Sequence, residues 1–302
     1  DAIFISHFDA DHYKGIIPIL KDERFTVDTI YHNGIARFAT KAGSRKPSYN
    51  TDLGKVLKSS SFTNRELDTT FNSLTDVNKL LAGGGLQTSF KRMLTTISDA
   101  AADGRVGKVK RLTTRDKNVK SMPAGLSIDV LGPITVEATG RTRFPWFTNS
   151  SHTRNGHSLV LKFNYGDRTF LLGGDLNTES EHYLLERSGA ADFKVDVAKS
   201  CHHGSGDFTI QFLKALKPYA TVISSGDNES YAHPRADAIG CAGMYSRGKR
   251  PLVFSTELAR SYRSADDILY GLINCRCDGK KIVMAQMKES KRGADIWDSY
   301  VV

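Results

Sequence analysis

The stretch Ala2-Ile3-Phe4-Ile5-Ser6-His7-Phe8-Asp9-Ala10-Asp11-His12 joins a short apolar run to a dense group of metal-ligand side chains. The apolar run predicts a central β-strand. In an extended loop, alternation would point His7, Asp9 and Asp11 one way and leave His12 for a second centre. A single metal ion rarely needs more than three or four protein ligands, so the surplus argues for two ions. An acidic helix N-terminus is the plain alternative, but it explains neither histidine.

More candidate ligands follow other apolar runs. The ends of strands are where open α/β sheets form their sites, and the side chains found there are His157, Asp175, the pair His202-His203, and His233. Two structural alternatives stay open: His157 could merely pack at the start of a hairpin, and His233 could order a turn. Cys201 precedes the histidine pair, and a small buried thiol is its expected role.

These motifs, in this order, resemble the metallo-β-lactamase superfamily, whose first metal motif is HxHxDH. Here Asp9 replaces the second histidine, which gives HxDxDH. This variant resembles the hydrolase domain of the ComEC/Rec2 competence proteins and their soluble relatives. The other motifs that carry the resemblance are Leu171-Leu172-Gly173-Gly174-Asp175-Leu176, His202-His203-Gly204-Ser205 and Asn228-x-x-Tyr231-x-His233-Pro234. The resemblance covers residues 1–35 and about 126–260.

The resemblance implies an α/β fold, an αββα metallo-β-lactamase sandwich with a dinuclear site on one edge. In such families several strands precede the first metal motif, so we expect this chain to lack its N-terminal strands. We expect residues 1–302 to form one hydrolase domain, in which residues 36–124 are an inserted, basic and largely helical segment, the insertion. Within the insertion, apolar spacing predicts helices near residues 64–81 and 87–101, separated by Gly83-Gly84-Gly85.

Matching the motifs also implies metal ligands. One ion would be held by His7, Asp9 and His157. The second would be held by Asp11, His12 and one of the pair His202 and His203, of which we prefer His203. Asp175 would bridge the two ions. The Asp9 carboxylate is a harder ligand than the imidazole it replaces, so the two divalent ions are expected to be Zn²⁺ or Mn²⁺, with Mg²⁺ possible.

The mechanism expected from this site uses a metal-bridging hydroxide as the nucleophile. Asp9 or Asp11 would orient it and accept its proton. His233 would protonate the leaving group, and His202 would lie near the metal or the substrate.

Positive charge is concentrated in one part of the chain. Residues 37–150 carry 19 Lys and Arg against 9 Asp and Glu, a net charge of +10, whereas the other 188 residues carry 23 against 24. A solvated surface and a surface that attracts a polyanion are both compatible with this. Aromatic residues interleaved with arginines could stack on bases or simply pack; they are Tyr49, Phe144, Trp146 and Phe147. We expect nucleic acid to bind at the insertion, whose helices could also contact a protein partner.

The favoured hypothesis is a metal-dependent phosphodiesterase, a nuclease acting on DNA or RNA. The alternatives are hydrolysis of a small ester, lactone or cyclic nucleotide at the same site, and an effector or binding module of a larger defence or uptake complex. No run reaches the roughly 20 apolar residues that a membrane helix needs. The four cysteines do not suggest a secreted disulfide scaffold, so we expect a cytoplasmic protein.

Overall fold

The computed structural model describes residues 1–39, 50–58, 65–68, 70–116, 119, 122–138, 140–226, 230–257, 272–292 and 295–302. The chain is mixed α/β, and its described strands form several sheets. It divides into two compact units. Unit 1 comprises Asp1–Lys117 and Gly132–Leu159, and unit 2 comprises Asn118–Leu131 and Val160–Val302.

The first part of the chain supplies most elements of unit 1. In chain order they are β1 (Ala2–Ile5), α1 (Ala10–Tyr13), α2 (Ile16–Lys21), β2 (Val27–His32), β3 (Asn50–Thr51), β4 (Gly54–Leu57), β5 (Glu66–Leu67), α3 (Leu74–Gly83), α4 (Thr88–Ala102) and β6 (Val106–Arg111).

The later elements complete unit 1 and build unit 2. They are β7 (Leu126–Gly132), β8 (Val136–Ala138), β9 (Arg141–Pro145), α5 (Ser150–Gly156), β10 (Val160–Tyr165), β11 (Arg168–Leu172), α6 (Thr178–Ser188), β12 (Val197–Lys199), α7 (Ile210–Leu216), β13 (Ala220–Ile223), α8 (Ala236–Met244), β14 (Leu252–Ser255), β15 (Ile273–Cys277), β16 (Ile282–Arg292) and β17 (Asp295–Val301).

Unit 1 contains a parallel sheet in the order β1-β2-β6 and a second sheet in the order β3-β4-β5-β9-β8. The apolar face predicted for the second helix of the insertion is buried, with Phe90, Met93, Leu94 and Ile97 all in the core. The insertion also supplies β6, a strand that the sequence did not predict. Val106 and Val109, the buried residues of β6, are three positions apart, so the strand lacks the alternation that usually reveals one.

Unit 2 is built on the sheet β14-β13-β12-β11-β10-β7, beside the antiparallel sheet β15-β16-β17. β10 and β11 form an antiparallel hairpin around the turn Gly166-Asp167, a pair of residues typical of tight turns. From β11 to β14 the strands are parallel. The carboxyl ends of these strands therefore lie at the same edge of the sheet.

Two helix starts in unit 2 differ from their predicted caps. The sequence predicts a Thr178–Glu181 capping box for α6, but Asn177 is the N-cap and pairs with Ser180. Glu181 is instead buried, and its Oε2 accepts a hydrogen bond from the Thr209 backbone N–H at 2.5 Å. For α7 the sequence offers Asp207 as a cap, a residue type favoured there, but Thr209 is the N-cap. Glu181 is buried because it lies on the face of α6 that packs inward, so its side chain does not cap the helix.

Within the part of the chain that the structure describes, none of the helices has the length and apolar character needed to span a bilayer.

The buried Glu181 predicts a pH dependence of stability. Burial raises the pKa of its carboxyl from 4.5 to about 8, so the folded protein keeps it protonated where the unfolded chain ionises it. The contribution of Glu181 to the free energy of unfolding is fully present below pH 4.5. As the pH rises further, the free energy of unfolding falls by about 1.4 kcal/mol per pH unit until Glu181 also ionises in the folded protein.

We expect Glu181→Gln, which cannot ionise, to flatten the decline of Tm between pH 5 and pH 8.5, measured by thermal unfolding. The exposed Glu186 on the same helix offers a matched control, Glu186→Gln. Parallel curves for wild type and Glu181→Gln would contradict the assignment.

Candidate metal centre

In unit 1, the loop after β1 brings two of the predicted histidines together. His7 is completely buried, and its ring centroid lies 4.1 Å from that of His12. The Ser6 hydroxyl lies between them, 3.2 Å from His7 Nδ1 and 3.1 Å from His12 Nδ1. Ser158 Oγ donates to the Asn155 carbonyl and lies 3.1 Å from His7 Nδ1, so Nδ1 is the protonated nitrogen of His7.

The alternation expected for this loop stops at Asp9, because α1 begins at Ala10. Asp11 and His12 are therefore helical neighbours rather than members of two separate sets. Asp11 Oδ2 lies 3.3 Å from His12 Nε2, and the Asp11 side chain is 60% exposed. Asp9 occupies the N-cap position, but its side chain makes no capping hydrogen bond.

Asp9 contacts two arginines that the sequence reasoning missed. Its Oδ1 accepts a hydrogen bond from Arg37 Nη1 at 2.7 Å and forms an ion pair with Arg154 Nε. Both arginines also approach Asp52. Nothing in the local sequence could have identified them, since they come from separate segments and arginine is common in the chain.

His157 lies in a separate environment. Its Nε2 is 2.7 Å from the Pro145 carbonyl, and its ring stacks on Phe147 with centroids 4.7 Å apart. Burial lowers its pKa to about 4, so the imidazole is neutral at neutral pH.

In unit 2, Asp175 and His203 meet at the carboxyl edge of the parallel strands. Asp175 follows β11 and is buried, and its Oδ2 lies 3.5 Å from His203 Nε2. His203 Nδ1 lies 2.7 Å from the Ser224 carbonyl, which follows β13. Because a carbonyl can only accept, Nδ1 carries the proton and Nε2 presents the lone pair.

The segment that carries the histidine pair has an unusual backbone. His202 and His203 have φ values of 49° and 53°, in the left-handed region that non-glycine residues rarely adopt. A Cβ on the next residue, Gly204, would lie 2.7 Å from Pro234 Cβ, and one on Gly173 would lie 2.7 Å from Cys201 Sγ. The two glycines therefore allow the strand ends to approach closely.

His202 and His233 form a second pair in unit 2. Their ring centroids are 5.7 Å apart, and Tyr231 stacks on His233 at 5.8 Å. Asn228, the first residue of that motif, lies outside the described residues. Burial raises the pKa of the Cys201 thiol, which keeps it protonated.

Four of the predicted ligands lie in two pairs, each of one aspartate and one histidine. The pair in unit 1 is Asp11 and His12, and the pair in unit 2 is Asp175 and His203; these four residues are called the ligand group. Imidazole and carboxylate are ligand types that suit Zn²⁺ or Mn²⁺. His7, Asp9, His157 and His202 are not members of the ligand group, and their roles at a metal stay predictions.

For the aromatic residues that could stack on bases or simply pack, the structure shows packing wherever it describes them. Phe144 is completely buried, Trp146 packs against the same apolar cluster, and Phe147 stacks on His157. Tyr49 lies outside the described residues. Exposed basic side chains are nevertheless present in the insertion, among them Lys91 and Arg92 on α4 and Lys108 on β6.

No protein-family model matches the chain. The chain is 37% identical over 83 residues to ComE operon protein 3 of Bacillus subtilis. These 83 residues are 27% of this chain and 10% of that protein. It is 37% identical over 81 residues to competence protein ComA of Neisseria gonorrhoeae, 26% of this chain and 12% of that one.

Recombination protein 2 of Haemophilus influenzae is 34% identical over 73 residues, which is 24% of this chain and 9% of that protein. The chain thus matches about a tenth of the length of these curated relatives. The matches support a relationship to competence proteins over about a quarter of the chain.

Proposed function

We propose that the protein is a metal-dependent hydrolase of phosphodiesters, a nuclease acting on DNA, built on the metallo-β-lactamase αββα fold. The observation that carries this proposal is the ligand group, above all the buried Asp175 beside His203 at the carboxyl ends of the parallel strands of unit 2. It contains four of the seven ligands expected from the motifs, and its two histidines and two aspartates come from separate parts of the chain.

The side chains of the ligand group are suited to holding Zn²⁺ or Mn²⁺. A bound divalent ion would lower the pKa of a water molecule and polarise a phosphoryl oxygen. His203 is preorganised for this task, because the Ser224 carbonyl fixes its tautomer with Nε2 as the ligand atom. Asp175 supplies a buried negative charge beside it.

Proton transfer is assigned to the side chains for which the motifs imply that role. The largely exposed Asp11 carboxylate can accept a proton from the attacking water. His233, paired with His202 and stacked on Tyr231, is the proposed donor to the leaving oxygen. Asp9, the other candidate acceptor, is engaged by two arginines and suits this task less well.

DNA is the proposed substrate for two reasons. The relatives described above are competence and recombination proteins, which favours a role in DNA uptake. Positive charge in the insertion, including the exposed Lys91, Arg92 and Lys108, would attract a phosphate backbone. A protein partner at the insertion and a cytoplasmic location stay predictions.

The first prediction concerns catalysis. With Mn²⁺ or Zn²⁺ added, the protein should cleave labelled single- or double-stranded DNA, and Asp175→Ala should lower the rate at least about 100-fold, because outer-shell changes alone cost 10–100-fold. Asp192→Ala, an exposed aspartate of unit 2, is the control and should cleave normally. Undiminished cleavage by Asp175→Ala, or hydrolysis of small esters alone, would refute the nuclease proposal.

The second prediction concerns substrate binding. The double variant Lys91→Glu/Arg92→Glu should weaken binding to duplex DNA and reduce the slope of log K against log salt by about two, since each phosphate contact adds about one. Fluorescence anisotropy at several salt concentrations measures both. Lys280→Glu/Lys281→Glu makes the same charge change at exposed positions of unit 2. An equal effect in both double variants would show that the insertion has no special role.

A further inference from the structure

We propose that the chain holds one divalent metal ion rather than two, and that the guanidinium groups of Arg37 and Arg154 take the place of a second ion beside Asp9. The inference rests on the proposed metal-dependent function and concerns the first of the two metal positions implied by the HxDxDH motif. Its three expected ligands are His7, Asp9 and His157, and two of them are engaged in ways that do not fit a metal.

Asp9 is the first of these. Arg37 Nη1 donates to Asp9 Oδ1 at 2.7 Å and also to the Phe8 carbonyl at 2.9 Å, so the arginine is fixed to the backbone of the motif itself. Arg154 Nε pairs with the same carboxylate oxygen. The charge that would attract a metal is already balanced by cations of the chain.

Asp52 closes this arginine–aspartate network. Its Oδ2 lies 3.6 Å from Arg37 Nη2 and 3.6 Å from Arg154 Nη1. The four side chains are between 14% and 24% exposed, so solvent screens them only partly. Two guanidinium groups and two carboxylates make a neutral set. A divalent ion placed there would face two fixed positive charges at short range.

His157 is the second ligand that does not fit. Its Nε2 lies 2.7 Å from the Pro145 carbonyl, which can only accept, so Nε2 carries the proton and only Nδ1 keeps a lone pair. The ring is also enclosed by Phe144 and Phe147. His203 has the opposite tautomer: its Nδ1 is bound to a carbonyl, and its Nε2 lies 3.5 Å from Asp175 Oδ2, another predicted ligand.

Asp9 then has a positioning role. It is the N-cap residue of α1, the short helix that carries Asp11 and His12. Its carboxylate makes no capping bond; its Oδ1 is held by the arginine pair, and its Oδ2 lies 3.9 Å from His7 Nε2. Anchoring Asp9 in this way fixes the start of the helix that supplies two members of the ligand group.

The test is the metal content of the purified full chain, loaded with Mn²⁺ or Zn²⁺, freed of excess metal and measured by plasma mass spectrometry. We expect one ion per chain for wild type, Asp9→Asn and His157→Gln, and none for Asp175→Ala. Asp9→Asn should lower Tm, because it removes the charge of one of the two carboxylates that pair with the arginines. Two ions in wild type, or loss of metal in His157→Gln, would overturn the inference while leaving the metal-dependent function intact.

A second readout needs no variant. The electron paramagnetic resonance spectrum of the Mn²⁺-loaded wild type should show the six-line pattern of an isolated ion. A spectrum of two exchange-coupled ions would overturn the single-ion proposal. No bound metal under any loading condition would overturn the proposed function and this inference with it.

Discussion

The parallel pairing of β11, β12 and β13 is the constraint on which the candidate site in unit 2 depends. It places the segments that follow these strands at one edge of the sheet: Asp175 after β11, His203 after β12 and Ser224 after β13. The hydrogen bond between His203 and the Ser224 carbonyl then selects the tautomer that can bind a metal. A strand register shifted by one residue would remove both contacts.

The backbone at this edge of the sheet is strained, which destabilises the fold locally and points to function. Two consecutive histidines in the left-handed region are each destabilising by about 1–3 kcal/mol. The surroundings impose this conformation, because Gly204 packs against Pro234 and Gly173 against Cys201. Strain concentrated beside a buried carboxylate is typical of a site that must hold its ligands in a fixed geometry.

The candidate ligands could be predicted from the sequence because they lie in the segments that follow apolar strands. Asp175 and His203 are examples, and so are Asp11 and His12 in the opening motif. The arginine–aspartate network could not be predicted, since Asp9, Arg37 and Arg154 are far apart in the chain and meet only through tertiary packing. For the same reason β6 and the burial of Glu181 escaped prediction: each depends on a partner distant in sequence. The chemistry of a motif residue is thus set by contacts that its motif does not contain.

The most direct test of the central claim is anomalous diffraction from crystals of the full chain soaked in Mn²⁺ or Zn²⁺. The account predicts one strong anomalous peak, within about 2.0–2.2 Å of the Asp175 carboxylate and of His203 Nε2. A peak beside Asp9 and His157, or the lack of any peak at Asp175, would contradict it.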